Sequence, residues 1–199
     1  MGARMPELSM VRSSEFEVIV RPHLDYLYAL AVRLCGNRAM AEDVVQDALL
    51  RAFRGLTKLR NRDRPRLWLT RVLTSAFHDR LRIEHAGYTV SMDEDFDLFD
   101  KIVEEDPFPY SDRVHLDFLE LFDDMKVIEV LQRLHPTHRV VLILAYVYEY
   151  KTREIAEIMN KPMGTVLAWL HRGRKQLERD LWEYAKGKRL LMPQREAPV

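Results

Sequence analysis

The chain has 199 residues, of which 47% are hydrophobic and 31% charged, a composition that fits one or two folded domains and excludes disorder throughout. Its single cysteine, Cys35, excludes an internal disulfide, and no cysteine and histidine cluster has the spacing of metal ligands. The formal charge is zero, from 31 basic and 31 acidic residues, which taken alone argues against a polyanionic partner.

The charge is distributed unevenly along the chain. Residues 1–86 hold 15 basic and 10 acidic residues, residues 87–125 hold 2 and 13, and residues 126–199 hold 14 and 8. The three segments therefore carry charges of +5, −11 and +6. Two basic lobes around an acidic strip indicate two modules joined by a linker, and each basic lobe is suited to contact phosphate.

Apolar residues recur every three or four positions in both lobes, which predicts an all-α fold. In the first lobe an apolar stripe runs from Phe16 to Leu34; Gly36 is placed to stop that helix and Asn37 to cap the next. A second helix is expected from residue 38 to about residue 54, with an acidic and polar face opposite its apolar side. That face consists of Glu42, Asp43, Gln46, Asp47 and Leu50.

A basic stretch follows at residues 58–66, where five of nine residues are cations. Because Pro65 disfavours a continuous helix, we predict a charged loop there. A third helix is expected from about Leu67 to Ile83. Its outward residues are predicted to be Arg71, His78, Arg80 and Arg82.

Residues 86–112 are acidic, contain two prolines and show no long helical pattern, so we expect a partly extended linker. Helical periodicity resumes at Leu116, and the nearly continuous apolar run at residues 140–150 predicts a buried helix. A short helix capped by Thr152, a turn at residues 160–163 and a long helix from about Gly164 to Ala185 follow.

Two helices around a four-residue turn are typical of a helix-turn-helix unit. Gly173 would allow close packing of the second helix, whose outward residues are predicted to be Thr165, Leu167, Ala168, His171, Arg172, Lys175 and Arg179. A cation-rich exposed helix is suited to the DNA major groove. The alternative is a helical hairpin whose cations only keep it soluble.

Three segments carry a resemblance to a known family: AEDVVQDALLRAF at 41–53, LWLTRV at 67–72, and EIAEIM at 154–159 with MGTVLAWLHRGRKQL at 163–177. They resemble the sigma-70 family of bacterial sigma factors, in its extracytoplasmic-function (ECF) group, which keeps only regions 2 and 4. The resemblance implies region 2 at 1–86, the acidic linker at 87–125, region 4 at 126–187 and a flexible tail at 188–199.

The resemblance also implies which residues meet which partner. A coiled coil on the beta-prime subunit of core RNA polymerase would be bound by Asp43, Gln46, Asp47 and Leu50, and region 4 would meet the beta flap. The minus-10 element would be contacted by Arg60, Asn61, Arg62, Arg64, Arg66, Arg71, His78, Arg80 and Arg82. The minus-35 element would be contacted by Arg153, Thr165, Leu167, Ala168, His171, Arg172 and Lys175.

The segment Leu167–Ala168–Trp169 departs from the family pattern, which commonly has a basic residue, a serine and a basic residue there. The usual minus-35 sequence is therefore in question, although apolar side chains still pack on thymine methyl groups. Two alternatives remain open: a conventional helix-turn-helix regulator, which would leave the acidic Asp43 and Asp47 face unexplained, and a sigma-like adaptor without normal promoter reading.

The function implied by the resemblance is promoter-specific initiation with core polymerase, under inhibition by an anti-sigma factor. No catalytic constellation, phosphate loop or cofactor motif occurs, so we expect no enzymatic activity, cofactor or metal. No stretch reaches the roughly 18 apolar residues of a membrane span, and no signal peptide is recognised. We therefore expect a cytoplasmic protein, not inserted in a membrane and monomeric apart from these complexes.

Overall fold

The computed structural model describes residues 14–58, 63–84 and 125–187, and every regular element in these ranges is helical. The predictions for the acidic linker and for the tail at 188–199 lie outside these ranges, except for Met125, which begins α5. The elements before the acidic linker are, in chain order, α1 (14–20), a 3-10 turn (Arg21–His23), α2 (Leu24–Cys35), α3 (Arg38–Gly55), a 3-10 turn (Leu56–Lys58) and α4 (Pro65–Glu84). The elements that follow are α5 (Met125–Arg133), α6 (Pro136–Leu142) with a π-helical continuation (Ile143–Val147), α7 (Thr152–Met159) and α8 (Met163–Gly187).

The junction between α2 and α3 has the predicted helix stop and helix cap. Gly36 ends α2 in the left-handed region at φ 72°, which glycine adopts without a Cβ clash. The Asn37 side chain accepts a 2.8 Å hydrogen bond from the Met40 amide and so caps α3. Helices α2, α3 and α4 pack on one another to form the N-terminal lobe.

Three helix boundaries differ from the sequence expectation. Helix α4 begins at Pro65 and includes Arg66, because proline is favourable at the first helical position, where its missing amide is no loss. The N-cap of α7 is Lys151 rather than Thr152, and the Glu154 carboxylate accepts from the Lys151 amide at 3.0 Å. The apolar run at 140–150 is buried only as far as Leu144, and its helix ends at Val147.

Helices α7 and α8 form the predicted helix-turn-helix, joined through Asn160 in the left-handed region at φ 53°. Gly173 permits a close approach as expected, but the neighbour is α6: an added Cβ would lie 3.0 Å from atoms of His138 and Leu142. In the described ranges no helix is long and apolar enough to cross a bilayer.

The two lobes pack directly against each other. Helix α2 contacts α5 and α6, and α4 contacts α7. Leu30 and Phe77 of the N-terminal lobe belong to the same buried cluster as Val140 and Ile155 of the C-terminal lobe. Burial of apolar side chains is the main stabilising term of a fold. Here residues of both lobes contribute to it, although the charge pattern divides the lobes into separate segments.

Candidate functional site

The acidic face of α3 is accessible, as predicted. Asp43 and Gln46 are exposed, Asp47 is half-buried, and Leu50 is 57% exposed despite being a large apolar residue. Asp47 pairs with Arg51 one turn away at 2.6 Å, and Asp43 pairs with Arg80 of α4 at 3.1 Å. The face therefore presents carboxylates around one accessible apolar side chain.

A second ion pair between α3 and α4 involves Asp79, which is not part of the acidic face. Asp79 accepts hydrogen bonds from Arg51 and Arg82. Burial alone would raise the pKa of Asp79, but the two guanidinium groups outweigh burial and lower it. Arg82, predicted to hold DNA phosphate, therefore already has a carboxylate partner, although 57% of its side chain stays exposed.

The outward residues of α4 do not all carry charge. Arg71 and Arg82 are exposed, and Arg80 is half-buried with Asp43 and Glu84 as partners. The prediction of an outward His78 is wrong: the ring is half-buried, and its Nδ1 lies 2.8 Å from the Thr74 carbonyl oxygen. Because burial lowers the pKa of His78 to about 4, the imidazole is neutral near pH 7 and supplies no cation.

The basic stretch before α4 is only partly described, since Arg60, Asn61 and Arg62 lie outside the described residues. Arg64 forms ion pairs with Glu154 and, at 3.6 Å, with Glu157, both of α7. The Arg66 guanidinium lies 4.1 Å from the ring centroid of Tyr26, a cation–π distance. Both cations expected to track DNA therefore contact protein groups in this structure.

The predicted minus-35 residues are divided between surface and interior. Arg153 and Lys175 are exposed; Leu167, His171 and Arg172 are half-buried. Thr165 is only 6% exposed and Ala168 is fully buried, so the prediction that these two face outward is wrong. They lie in the first two turns of α8, beside Trp169, which is 3% exposed and lines a cleft together with α4 residues.

A polar cluster at the boundary of the lobes was not predicted. The Tyr26 hydroxyl lies 2.7 Å from Thr70 Oγ1 and 3.1 Å from the Tyr150 hydroxyl, and Thr70 and Tyr150 are 3.1 Å apart. Burial is the main cause that raises the pKa of Tyr26. Since these residues are separated by 44 to 124 positions, helical periodicity carries no signal of their meeting.

The cleft between α4 and the helix-turn-helix joins residues of both lobes. Its α4 wall includes Arg71, Ser75 and Arg82, and its other wall includes Lys161 and Trp169. Within the described residues no group of three or more histidine, cysteine or acidic side chains is arranged to hold a metal ion.

Comparison with known families matches each lobe to a separate model. Residues 19–85 match the model described as "Sigma-70 region 2", and residues 124–177 match "Sigma-70, region 4". The first covers α2, α3 and α4; the second covers the helix-turn-helix through Leu177. The regions thus occur in the order and on the lobes that the sequence predicts.

Curated relatives extend this similarity over most of the chain. The ECF RNA polymerase sigma factor SigW of Bacillus subtilis is 30% identical over 182 residues, which span 89% of this chain and 95% of the relative. The ECF RNA polymerase sigma factor SigE of Mycolicibacterium smegmatis is 32% identical over 162 residues, spanning 81% and 60%.

A solved structure supports the fold. The sigma factor RpoE of Bartonella quintana, determined in complex with the anti-sigma factor NepR, superposes with a TM-score of 0.58 at 20% identity, covering 84% of this chain and 97% of that one. The fold, the order of the two regions and the similarity to SigW over 95% of its length agree: this chain belongs to the ECF group of the sigma-70 family of RNA polymerase sigma factors.

Proposed function

We propose that this chain binds core RNA polymerase and directs promoter-specific initiation, acting in the cytoplasm without catalytic activity of its own. The observation that carries the proposal is the face of α3, where Leu50 is 57% exposed between paired carboxylates. Such a face suits a basic coiled coil with an apolar seam, because opposite charges guide the encounter and a buried leucine contributes affinity. Region 4 would meet the beta flap.

Promoter contacts are divided between the lobes in this proposal. The boundaries are those of the sequence prediction: region 2 at 1–86, linker at 87–125, region 4 at 126–187. Arg71 and Arg82, which are exposed, would hold duplex phosphate beside the minus-10 element, and the basic stretch at 60–66 would contact the single strand. Arg153, Arg172 and Lys175 supply the cations for the minus-35 element, with Leu167 and His171 available to base edges.

Inhibition by an anti-sigma factor is part of the same proposal. The structural relative from Bartonella quintana was solved with such an inhibitor, and the two folds agree over 84% of this chain. An inhibitor that covers α3 or the helix-turn-helix would block polymerase or promoter by occupying the same surface.

The testing experiment is reconstituted transcription on a library of genomic DNA fragments. Core polymerase with the purified chain should give RNA from a limited set of start sites that share upstream sequence. Core alone, or core with a variant carrying Asp43→Arg and Asp47→Arg, should not. Circular dichroism of that variant checks that its helices are intact.

A second candidate, a sigma-like adaptor that no longer reads promoters, is favoured by one observation. Ala168 is buried and Leu167 is apolar at positions that usually carry hydrogen-bonding groups in the family. An adaptor would bind core polymerase or an inhibitor normally yet give no start-site enrichment in the same assay. A helix-turn-helix regulator would instead require a different sigma factor for any initiation.

A further inference from the structure

One face of α4 lines the cleft between that helix and the helix-turn-helix. Arg71, Ser75, His78 and Arg82 follow one another at spacings of four, three and four residues, which places them on the same side of α4. At 1.5 Å per residue, Arg71 and Arg82 are about 16 Å apart along the helix axis. The α4 wall of the cleft therefore carries a guanidinium group at each end.

The opposite wall adds a third cation. It is formed by the end of α7, by the turn that includes Lys161, and by Trp169 of α8. None of the described residues that line the cleft is acidic. Within the described ranges neither Arg71 nor Lys161 has a carboxylate partner, whereas Arg82 pairs with Asp79, which does not line the cleft, and keeps 57% of its side chain exposed. The cleft is thus a space bordered by three cations.

The size of the cleft limits the kind of anion that it can hold. Its volume is about 340 Å³, which lies within the range of small-molecule sites. A DNA duplex, whose major groove alone is about 12 Å wide, is too large to enter and can meet only the rim. Ile158 and Trp169 provide apolar surface in the cleft wall, so the uncharged part of a ligand can lie between its charged ends.

We propose that this cleft binds a small molecule that carries phosphate groups at two positions, of the nucleoside bisphosphate class. Arg71 and Arg82 hold one phosphate group each, because a guanidinium group matches phosphate with paired, charge-assisted hydrogen bonds. Lys161 contributes a charge from the opposite wall. Ser75, which is exposed on α4 between the two arginines, supplies a hydroxyl donor.

An occupied cleft would compete with promoter DNA. Arg71 and Arg82 are the exposed cations assigned above to duplex phosphate beside the minus-10 element, so a bound bisphosphate removes both from that role. This regulatory consequence rests on the proposed function, whereas binding of the ligand does not. Binding is therefore measured on the free 199-residue chain, without polymerase or DNA. A failure to bind leaves initiation by the chain untouched, and a failure to initiate leaves the binding result untouched.

A series of three probes tests the chemistry of the ligand. Isothermal titration calorimetry at low salt would compare adenosine 3′,5′-bisphosphate, adenosine 5′-monophosphate and adenosine. The bisphosphate should bind one-to-one and about tenfold or more tightly than the monophosphate, because only the bisphosphate reaches both guanidinium groups. Adenosine should not bind, and added salt should weaken binding of the bisphosphate. Equal affinities for the two phosphorylated probes, or the absence of saturable binding, would overturn the proposal.

Variants of the cleft test the location of the site. Lys161→Gln removes a cation that is assigned to neither polymerase nor promoter, and should weaken binding of the bisphosphate about fivefold. Lys151→Gln is the matched control, since it makes the same change at an exposed lysine outside the cleft, and should stay within about twofold of the original affinity. Ser75→Asp places a carboxylate between the two arginines and should abolish binding.

Each variant is checked by circular dichroism and thermal unfolding without ligand, so that a loss of binding is not a loss of folding. If Lys161→Gln unfolds, Ser75→Asp at its exposed position still decides the location. Equal losses of affinity in the two lysine variants would mean that the ligand responds only to the overall charge of the lobe. That result, or normal binding by Ser75→Asp, would contradict a site in this cleft.

Discussion

The Arg139 guanidinium of α6 donates a 2.6 Å hydrogen bond to the carbonyl oxygen of Leu34, in the last turn of α2. Arg139 is only 6% exposed, and Gln132 donates in the same way to the Arg33 carbonyl at 3.1 Å. The last carbonyls of a helix have no partner within it, and the helix dipole favours a cation there. Side chains of region 4 thus donate hydrogen bonds to the last carbonyl groups of α2, a helix of region 2.

Arg139→Met is therefore expected to destabilise the chain by about 2 kcal/mol, since it removes a charged donor and leaves a buried carbonyl without it. Urea unfolding followed by circular dichroism gives the free energy. Arg133→Met is the control, because Arg133 is exposed and pairs with Glu129 one turn away, so a change of about 0.5 kcal/mol or less is expected. An equal loss of unfolding free energy in both variants would contradict this structural role of Arg139.

Leu50→Ala should separate polymerase binding from stability. The side chain is 57% exposed, so unfolding should hardly change, while affinity for core polymerase should fall about tenfold if the leucine is buried on binding. Val18→Ala is the matched control, since Val18 is 75% exposed on α1, a helix that carries none of the acidic-face residues. Fluorescence anisotropy measures the affinity of each variant for core polymerase. An affinity that is the same in both variants would contradict the docking assignment.

Stability should fall in mild acid because of His78. Burial lowers its folded pKa to about 4, while the unfolded value is 6.5, so between these pH values only the unfolded chain binds the proton. The stability that neutral His78 contributes is complete above about pH 6.5 and is lost as pH falls towards 4. Between pH 7.5 and 5.0 the loss should be about 2 kcal/mol. His78→Asn should reduce this pH dependence; an unchanged slope would contradict the assignment.

Two glycines should respond oppositely to alanine. At Gly173 the new Cβ would lie 3.0 Å from the Cβ of His138, which has little freedom to move, so overpacking of about 1 to 3 kcal/mol should exceed the gain in helix propensity. At Gly55 the nearest heavy atom, on Trp68, is 3.8 Å away, so Gly55→Ala should be neutral or stabilising. A stabilised Gly173→Ala variant would show that α6 and α8 are less closely packed.

Local features of this fold were predictable from sequence, and contacts between the lobes were not. Gly36 and Asn37 act within one turn of their own positions, so their pattern specifies a helix stop and a cap. The predicted start of α4 near Leu67 is two residues late, because proline disfavours the interior of a helix but is favourable at its first position. Burial of Thr165 and Ala168 depends on tertiary packing at the first two turns of α8, which helical periodicity does not encode.

Mapping of transcription start sites after overproduction of this chain tests the central claim most directly. The account predicts new start sites preceded by a shared two-part sequence, with the same starts reproduced by core polymerase and the purified chain, and lost with Asp43→Arg and Asp47→Arg. Changes confined to start sites already used by another sigma factor, with no initiation from core polymerase and this chain alone, would contradict it.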